Sequence, residues 1–199
     1  MSTTAEPGLR ERKKAATRQS LHEAAVRLAI EHGAERVTVE AIADDAGVSR
    51  RTFSNYFGSK EEALMYGDFQ RIQTLIEMVR ERPAAESAWT ALTAAAERFV
   101  GQLGDLDPQW VAQSRLIRAH PSLIAAQVQT FAALERELSA EVASRSKDQD
   151  PLSVRVRMTS AAFLLALRVS VHLWQEGPPG RSLWDVVREA LAEAGRGFA

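Results

Sequence analysis

The stretch TVEAIADDAGVSRRTFSNYF, residues 38–57, decides the fold of this chain. Apolar residues recur three or four positions apart on both sides of AGVS, which predicts two short helices joined by a tight turn. Gly47 suits the left-handed backbone conformation that such a turn requires. Thr38 and Ser49 stand where the two helices begin, and their hydroxyls suit the capping of backbone N–H groups. The stretch therefore predicts a helix-turn-helix.

The second helix of this motif has an apolar face and a polar face. Phe53 and Phe57 are four residues apart and predict the buried face, against Ile42 and Ala43 of the first helix and with Val48 filling the space between the helices. The polar face is left with Arg50, Arg51, Thr52, Ser54 and Asn55. The second helix of a helix-turn-helix lies in the DNA major groove, where arginine pairs with guanine and threonine contacts the thymine methyl group. Which of the two arginines reads a base and which touches only phosphate stays open.

The rest of the chain has helical periodicity and no convincing strand alternation, so the predicted fold class is all-α. Nine helices are expected over residues 9–32, 39–46, 50–56, 60–81, 84–103, 108–119, 121–144, 151–176 and 183–194. Ser59 with Glu62 predicts a capping box, and Asp107 and Asp150 each precede a proline at an expected helix start. The predicted domains are a three-helix DNA-binding domain over residues 1–58, with 1–8 disordered, and a larger bundle over residues 59–199.

Composition excludes several classes of protein. The 199 residues carry a net charge of −1 and include no cysteine, which leaves no disulfide framework and no thiolate zinc site. The four histidines are scattered, and we find no nucleophile motif, phosphate-binding loop or metal-ligand spacing, so no enzyme activity, cofactor or metal is predicted. Residues 1–18 lack the apolar core of a signal peptide. The apolar stretch 158–174 contains Arg168 and His172, which argues against a membrane helix and favours a cytoplasmic protein.

Basic residues are concentrated near the N-terminus. Residues 9–18 carry five basic side chains and one acidic one, whereas residues 61–199 carry fifteen basic and eighteen acidic ones. A basic arm on a near-neutral body indicates a localised anionic partner, although a solvated helix start has the same composition. An architectural DNA-binding protein would be strongly basic throughout, and this chain is not.

The segment TVEAIADDAGVSRRTFSNYFGSKEEAL, residues 38–64, closely resembles the DNA-binding segment of the TetR (tetracycline repressor) family of bacterial transcriptional regulators. The resemblance implies that Thr38, Tyr56 and Lys60 hold DNA phosphates, with a packed aromatic and a solvated charge as the alternatives for the last two. The implied DNA-binding set is Thr38, Ser49, Arg50, Arg51, Thr52, Asn55, Tyr56 and Lys60, and the implied arm is Arg10, Arg12, Lys13 and Lys14. Asp44 and Asp45 are expected to face solvent, away from the duplex.

Members of this family use the second domain to dimerise and to bind a small effector. The stretch 158–174 is apolar almost all round and must be covered on more than one side, either by a copy of the chain or within the monomer. The expected dimer residues are Leu165, Arg168, Val169, His172, Trp184, Val187 and Leu191.

Bulky apolar residues in the same domain are candidates for an effector pocket, and equally for a plain core. The apolar candidates are Trp89, Phe99, Trp110, Phe131, Met158 and Phe163, and Arg115 is a charged candidate beside them. Arg115, Arg118 and His120 form a cluster suited either to an anionic head group or to a solvated helix end. Residues 115–145 also resemble the second domain of mycofactocin-type TetR regulators, whose ligands include fatty acyl-CoA thioesters.

The sequence thus predicts a cytoplasmic homodimer that binds a pseudopalindromic operator and is released by a small, largely apolar effector, with fatty acyl-CoA as a candidate. Two alternatives stay open. One is a DNA-binding regulator with no small-molecule effector, and the other is a helical protein-interaction module. The operator, the effector and the direction of regulation are not encoded in any motif of the chain.

Overall fold

The computed structural model describes residues 8–103, 108–147, 149–178 and 180–196, without the side chain of Gln109. Over these residues the chain forms nine α-helices and no strand, which confirms the all-α prediction. The helices are α1 Leu9–His32, α2 Val39–Asp45, α3 Arg50–Ser54, α4 Lys60–Arg80, α5 Ala88–Gln102, α6 Pro108–Ala119, α7 Pro121–Ser144, α8 Val154–Glu176 and α9 Leu183–Gly195. The predicted cap at Asp107 lies outside the described residues, and so do residues 1–7 of the segment 1–8 that is expected to be disordered.

The described chain divides into two compact units. The first contains residues 8–68 and 108–127, and the second contains the described residues of 69–103 and 128–196. The helix α4 therefore begins in the first unit and ends in the second, and α6 belongs to the first. The boundary predicted at residues 58 and 59 marks the end of the helix-turn-helix segment and stays a prediction, whereas the compact unit that contains this segment is larger.

The first unit has its own core, built from α1, α2, α3, the start of α4, and α6. Leu21, Ile42, Phe53, Leu64 and Ile117 are all 1% exposed or less and belong to one apolar cluster. The buried amide of Gln113 also donates from Nε2 to the carbonyl oxygen of Leu64, at 2.6 Å. Because an unsatisfied buried amide is costly, this bond fixes the position of α6 against α4.

The second unit is centred on the packing of α5, α8 and α9. Trp89 and Phe163 meet edge to face, with ring centroids 6.3 Å apart. Gly195 lies so close to this tryptophan that a Cβ atom there would fall 2.1 Å from Trp89 Nε1. On the other side of the unit, Arg157 makes two hydrogen bonds of 2.6 Å to Glu135, which joins α8 to α7.

Three helix boundaries differ from the sequence-based expectation by two residues or more. The helix α5 begins at Ala88 and α8 begins at Val154, because the hydroxyls of Ser87 and Ser153 accept the N–H groups of the third residues beyond them. These serine caps replace the starts expected near residues 84 and 151. The helix α3 ends at Ser54, two residues earlier than expected.

One described helix, α8, is long and apolar enough to cross a membrane by length and composition alone. Its most apolar window has a mean hydropathy of 1.3, and 39% of that window is buried in the chain. Core helices of soluble proteins have the same properties. Since one face of α8 packs on α9 within the second unit, the question raised by this helix is what covers its other face.

Candidate nucleic-acid interface

The caps and the turn of the helix-turn-helix have the predicted geometry. Thr38 Oγ1 accepts from Ala41 N at 3.1 Å, and Ser49 Oγ accepts from Thr52 N at 3.1 Å. Gly47 has φ of +67°, in the left-handed region that favours glycine. These three features fix where α2 begins and ends and where α3 begins.

The apolar face of α3 is buried as expected. Phe53 and Phe57 are 1% and 3% exposed, and their ring centroids lie 5.8 Å apart. Val48 is half-buried and packs on the same cluster as Ile42 and Ala43. Because both phenylalanines point inward, the opposite face of this short helix must point to solvent.

The outward face of α3 carries the residues suited to base recognition. Arg51 and Asn55 are exposed, and no described side chain holds Arg51. Arg50 is exposed too, and its Nε lies 3.1 Å from Oε1 of Glu40 on α2. Thr52 is half-buried, with its hydroxyl 2.9 Å from that of Ser49.

A groove of about 660 Å³, which we call the basic groove, opens beside this face in the first unit. Its lining residues are Leu9, Arg10, Lys13, Lys14, Thr17, Thr52, Asn55 and Tyr56. Three of these residues are cationic and none is acidic, which suits a nucleic-acid backbone. The predicted arm is therefore the first turns of α1, of which Arg12 is exposed but does not line the groove.

Arg18 makes contacts with aromatic side chains that were not predicted from the sequence. Its guanidinium carbon lies 5.9, 5.7 and 5.7 Å from the ring centroids of Tyr56, Phe57 and Tyr66, and its Nη2 donates to the Tyr56 carbonyl oxygen at 3.2 Å. Three cation–π contacts and a hydrogen bond thus join α1 to the end of α3 and to α4. No local pattern marks this role, because the partners are 38 or more residues away in sequence.

We expect Arg18→Met to lower the free energy of unfolding by about 1–3 kcal/mol, because a chain of similar length without charge loses both the cation–π contacts and the hydrogen bond. Urea denaturation measures the change. Arg12→Met is the matched control on the same helix and is expected to stay within about 0.5 kcal/mol of the wild type. Equal stability of the two variants would show that the contacts of Arg18 with the three aromatic rings do not contribute to the free energy of unfolding.

The ammonium group of Lys60 is bound within the chain and does not point freely to solvent. Its Nζ donates to the carbonyl oxygens of Ala34 and Val37, each at 2.9 Å, and to that of Glu35 at 3.4 Å. These bonds hold the segment between α1 and α2 on the start of α4. Its contact with phosphate stays a prediction, and its charge is now shared with three carbonyl groups.

The two acidic residues before the turn, Asp44 and Asp45, have different contacts. Both Asp44 and Asp45 are exposed, as expected, and Asp45 also forms an ion pair with Arg27 of α1. The capping box at the start of α4 is changed as well. Ser59 Oγ accepts from Glu62 N at 3.1 Å, but the Glu62 carboxylate accepts from Gly58 N at 2.6 Å.

The expected dimer residues fall into two groups in the second unit. Leu165 and Val169 on α8 are 50% and 37% exposed, and Arg168, His172 and Trp184 are half-buried. Val187 and Leu191 are 2% and 1% exposed, because this side of α9 packs into the core of the single chain. These two residues are therefore corrected from the dimer surface to the monomer core.

An apolar groove of about 620 Å³ lies between α8 and α9, and we call it the α8–α9 groove. Its apolar lining residues are Ala162, Leu165, Ala166, Val169, Leu173, Val186, Ala190 and Ala194. Leu173, 50% exposed and four residues after Val169, was missed, although the helical spacing could have found it. The groove shows which face of α8 is left uncovered in one chain.

The effector-pocket candidates are not gathered at one place within a unit. Trp110 and Arg115 lie in the first unit, and the other five lie in the second. The edge-to-face contact of Trp89 with Phe163 supports the core interpretation for that pair. Met158 is 54% exposed, which corrects its placement, since a side chain in an enclosed pocket would be covered.

The remaining candidates in these clusters are only partly covered. Phe99, Phe131 and Trp110 are half-buried, and Arg115 is exposed. His120 Nδ1 lies 3.9 Å from Oε1 of Glu35 within the first unit. Among the described residues, no three histidine or carboxylate side chains come together as a metal site.

Comparisons with known proteins agree with this geometry. Residues 21–64 match the family described as bacterial regulatory proteins, tetR family, and residues 86–199 match the MftR C-terminal domain. The HTH-type transcriptional regulator TcmR of Streptomyces glaucescens is 31% identical over 179 residues, which cover 87% of this chain and 79% of that protein.

Two solved structures share the fold at lower identity. FadR of Thermus thermophilus, a TetR-family repressor in complex with lauroyl-CoA, has a TM-score of 0.62 at 23% identity and covers 92% of this chain and 95% of its own. FadR of Bacillus subtilis in complex with stearoyl-CoA has a TM-score of 0.56 at 19% identity, over 91% and 99% of the two chains. The helix-turn-helix, the two family matches and the similarity to TcmR lead to one conclusion: the chain belongs to the TetR family, whose members are DNA-binding transcriptional regulators and not enzymes.

Proposed function

We propose that this chain is a cytoplasmic, homodimeric transcriptional repressor that binds a pseudopalindromic operator through α3 and leaves it when a small, largely apolar effector binds. The observation that carries the proposal is the exposed polar face of α3 beside the basic groove. That face supplies arginine, threonine and asparagine side chains for base edges, and the groove supplies cations for phosphate. Together they form an interface for double-stranded DNA.

The proposed roles follow the position of each side chain. Arg50, Arg51, Thr52 and Asn55 face the major groove, and Ser49 and Thr38 combine capping with contact to the backbone. Tyr56 and Lys60 contribute to phosphate binding from the end of α3 and the start of α4. The arm residues Arg10, Lys13 and Lys14, with Arg12 beside them, follow the flanking phosphates.

The dimer is supported by the α8–α9 groove. Leu165, Val169 and Leu173 form an exposed apolar stripe along α8, and dimerisation is typical of the family. A two-fold axis would bring the stripe of one chain onto the groove of its copy, in an isologous four-helix interface. Operator binding by this dimer requires two copies of α3 about 34 Å apart, the spacing of successive major grooves.

The effector is proposed to be an apolar or amphipathic molecule, with fatty acyl-CoA as the first candidate. Two structures with this fold hold acyl-CoA, and the second half of the chain matches the MftR C-terminal domain. Phe99 and Phe131, both half-buried in the second unit, are the aromatic candidates there. Because α4 runs from one unit into the other, binding is proposed to shift α4 and so lower the population in which both copies of α3 fit DNA.

The DNA-binding part is tested by fluorescence anisotropy on an operator duplex selected from a random pool. Arg51→Ala combined with Tyr56→Ala is expected to weaken operator binding by about 100-fold, since each variant removes a base or phosphate contact. Arg155→Ala, an exposed arginine of the second unit, is the control and is expected to leave the affinity unchanged. Unchanged binding by the double variant would contradict this part of the proposal.

The effector part has its own test. Lauroyl-CoA and stearoyl-CoA are added to the protein–operator complex, with free coenzyme A as the control for the head group alone. Release by the acyl-CoAs but not by coenzyme A supports the proposal. If neither acyl-CoA nor a panel of other apolar compounds releases the DNA, the alternative of a regulator without a small-molecule effector replaces it, and the DNA-binding part is unaffected.

A further inference from the structure

Glu40 and Arg50 form an ion pair on the outward side of the helix-turn-helix. Arg50 is the first residue of α3, and its Nε lies 3.1 Å from Oε1 of Glu40 in the first turn of α2. Both side chains are largely exposed, at 73% and 55%. An exposed pair of this kind adds little stability. Its relevant effect is on the orientation of the Arg50 side chain.

The pairing leaves the recognition end of Arg50 available. The carboxylate lies 3.1 Å from Nε as an ion pair, and no other ion pair holds this arginine among the described residues. The two terminal nitrogens form a fork that matches the O6 and N7 acceptors of guanine. A guanidinium already paired with a carboxylate on its Nε side loses less conformational freedom when its fork binds, which favours a single orientation in the groove.

A carboxylate near DNA also needs an explanation of its own. The first helix of a helix-turn-helix crosses the DNA backbone, and an exposed acid there is repelled by phosphate. Asp45, also on α2, is paired with Arg27 of α1, whereas Glu40 is paired with a residue of the reading helix itself. Its charge is therefore offset by Arg50 on the side that faces the duplex in a helix-turn-helix complex.

From this geometry we infer that Arg50 is the arginine that reads a base, that the base is guanine, and that Glu40 is the positioning residue that sets this specificity. Arg51, which no described side chain orients, binds phosphate instead. The inference rests on the proposed binding of operator DNA and names the base pair that this site selects.

The test is a set of parallel selections from random duplexes with the wild type, Glu40→Gln, Arg50→Lys and Arg51→Lys. Arg50→Lys is expected to lower the preference for guanine at one position of each half-site by about tenfold or more, because lysine is a point charge on a flexible stem and lacks the planar fork that Glu40 orients. Glu40→Gln is expected to lower the preference at that same position by about three- to tenfold. Arg51→Lys keeps every base preference, because lysine also binds phosphate.

A second readout separates orientation from simple loss of structure. Glu40→Gln removes a negative charge, so binding to unrelated duplexes should strengthen while discrimination falls. Asp44, an exposed acid on the same helix, supplies the matched control. Asp44→Asn should strengthen binding to the selected and to the unrelated duplexes, without lowering the base preference at any position of the motif. Replacement of the contacted guanine by 7-deazaguanine, which lacks N7, should weaken the wild type more than Arg50→Lys or Glu40→Gln.

Three results would overturn the inference. They are an unchanged guanine preference in Arg50→Lys, an unchanged guanine preference in Glu40→Gln, and the loss of that preference in Arg51→Lys. Failure of the proposed function looks different, since the wild-type protein would then select no motif. A uniform loss of affinity in Glu40→Gln on all duplexes would reduce Glu40 to a structural role.

Discussion

Leu165→Glu combined with Val169→Glu is expected to yield a folded monomer whose affinity for the operator is lower by about 100-fold or more, because the second half-site no longer contributes to affinity. Both side chains are exposed in the single chain and line the α8–α9 groove, so the monomer tolerates the charges. In a symmetric interface, each substitution would bury two carboxylates without partners. Sedimentation velocity gives the oligomeric state, and fluorescence anisotropy gives the affinity.

The chain offers a matched control for this prediction. Leu152 and Val154 are 77% and 79% exposed, also two apolar residues close in sequence, but they do not line the groove. Leu152→Glu combined with Val154→Glu should stay dimeric and bind the operator normally. A dimeric Leu165→Glu, Val169→Glu variant would show that α8 is covered by something other than a second copy.

Phe53→Ala is expected to lower the free energy of unfolding of the first unit by about 3–5 kcal/mol and to abolish operator binding, because it removes a fully buried ring and leaves a cavity behind α3. The ring is 1% exposed and packs on Phe57, so no solvent can fill its place. Urea denaturation followed by circular dichroism measures the stability, and anisotropy measures the binding.

The neighbouring residue supplies the control. Ser54 is exposed, and its hydroxyl donates only to the carbonyl oxygen of Arg50, at 3.2 Å. Ser54→Ala should change the stability by no more than about 0.5 kcal/mol. Normal operator binding by Phe53→Ala would mean that α3 does not need its buried face to present its polar one.

The helix-turn-helix was predictable because its determinants are local. Thr38, Gly47 and Ser49 act on backbone groups within three residues, and Phe53 and Phe57 face inward because they are one helical turn apart. Such features depend on backbone geometry and periodicity, which a sequence displays directly. The same reasoning failed at α5 and α8 only where a serine competed with the expected start.

Contacts between distant helices were not predictable in this way. Lys60 bonds to carbonyl groups 23 to 26 residues earlier, and Arg18 meets Tyr56 across 38 residues. A basic side chain near a DNA-binding motif suggests phosphate, whereas the fold directs one of these charges to carbonyls and the other to aromatic rings. Nothing in the periodicity distinguishes these outcomes.

The apolar faces of α8 and α9 show a second limit. Spacing indicated that Val187 and Leu191 share a buried face, but not whether a copy or the same chain buries it. The structure places that face in the monomer core and leaves Leu165, Val169 and Leu173 outside. Only the packing of α9 on α8 and α5 separates the two surfaces.

The most direct test of the account is selection of duplexes bound by the purified protein from a random pool, followed by sequencing. The central claim is sequence-specific binding by a symmetric dimer through α3. It predicts an enriched inverted repeat whose half-sites are centred about 10 base pairs, or about 34 Å, apart. A pool with no enriched motif, or a single motif with no inverted partner, would contradict it.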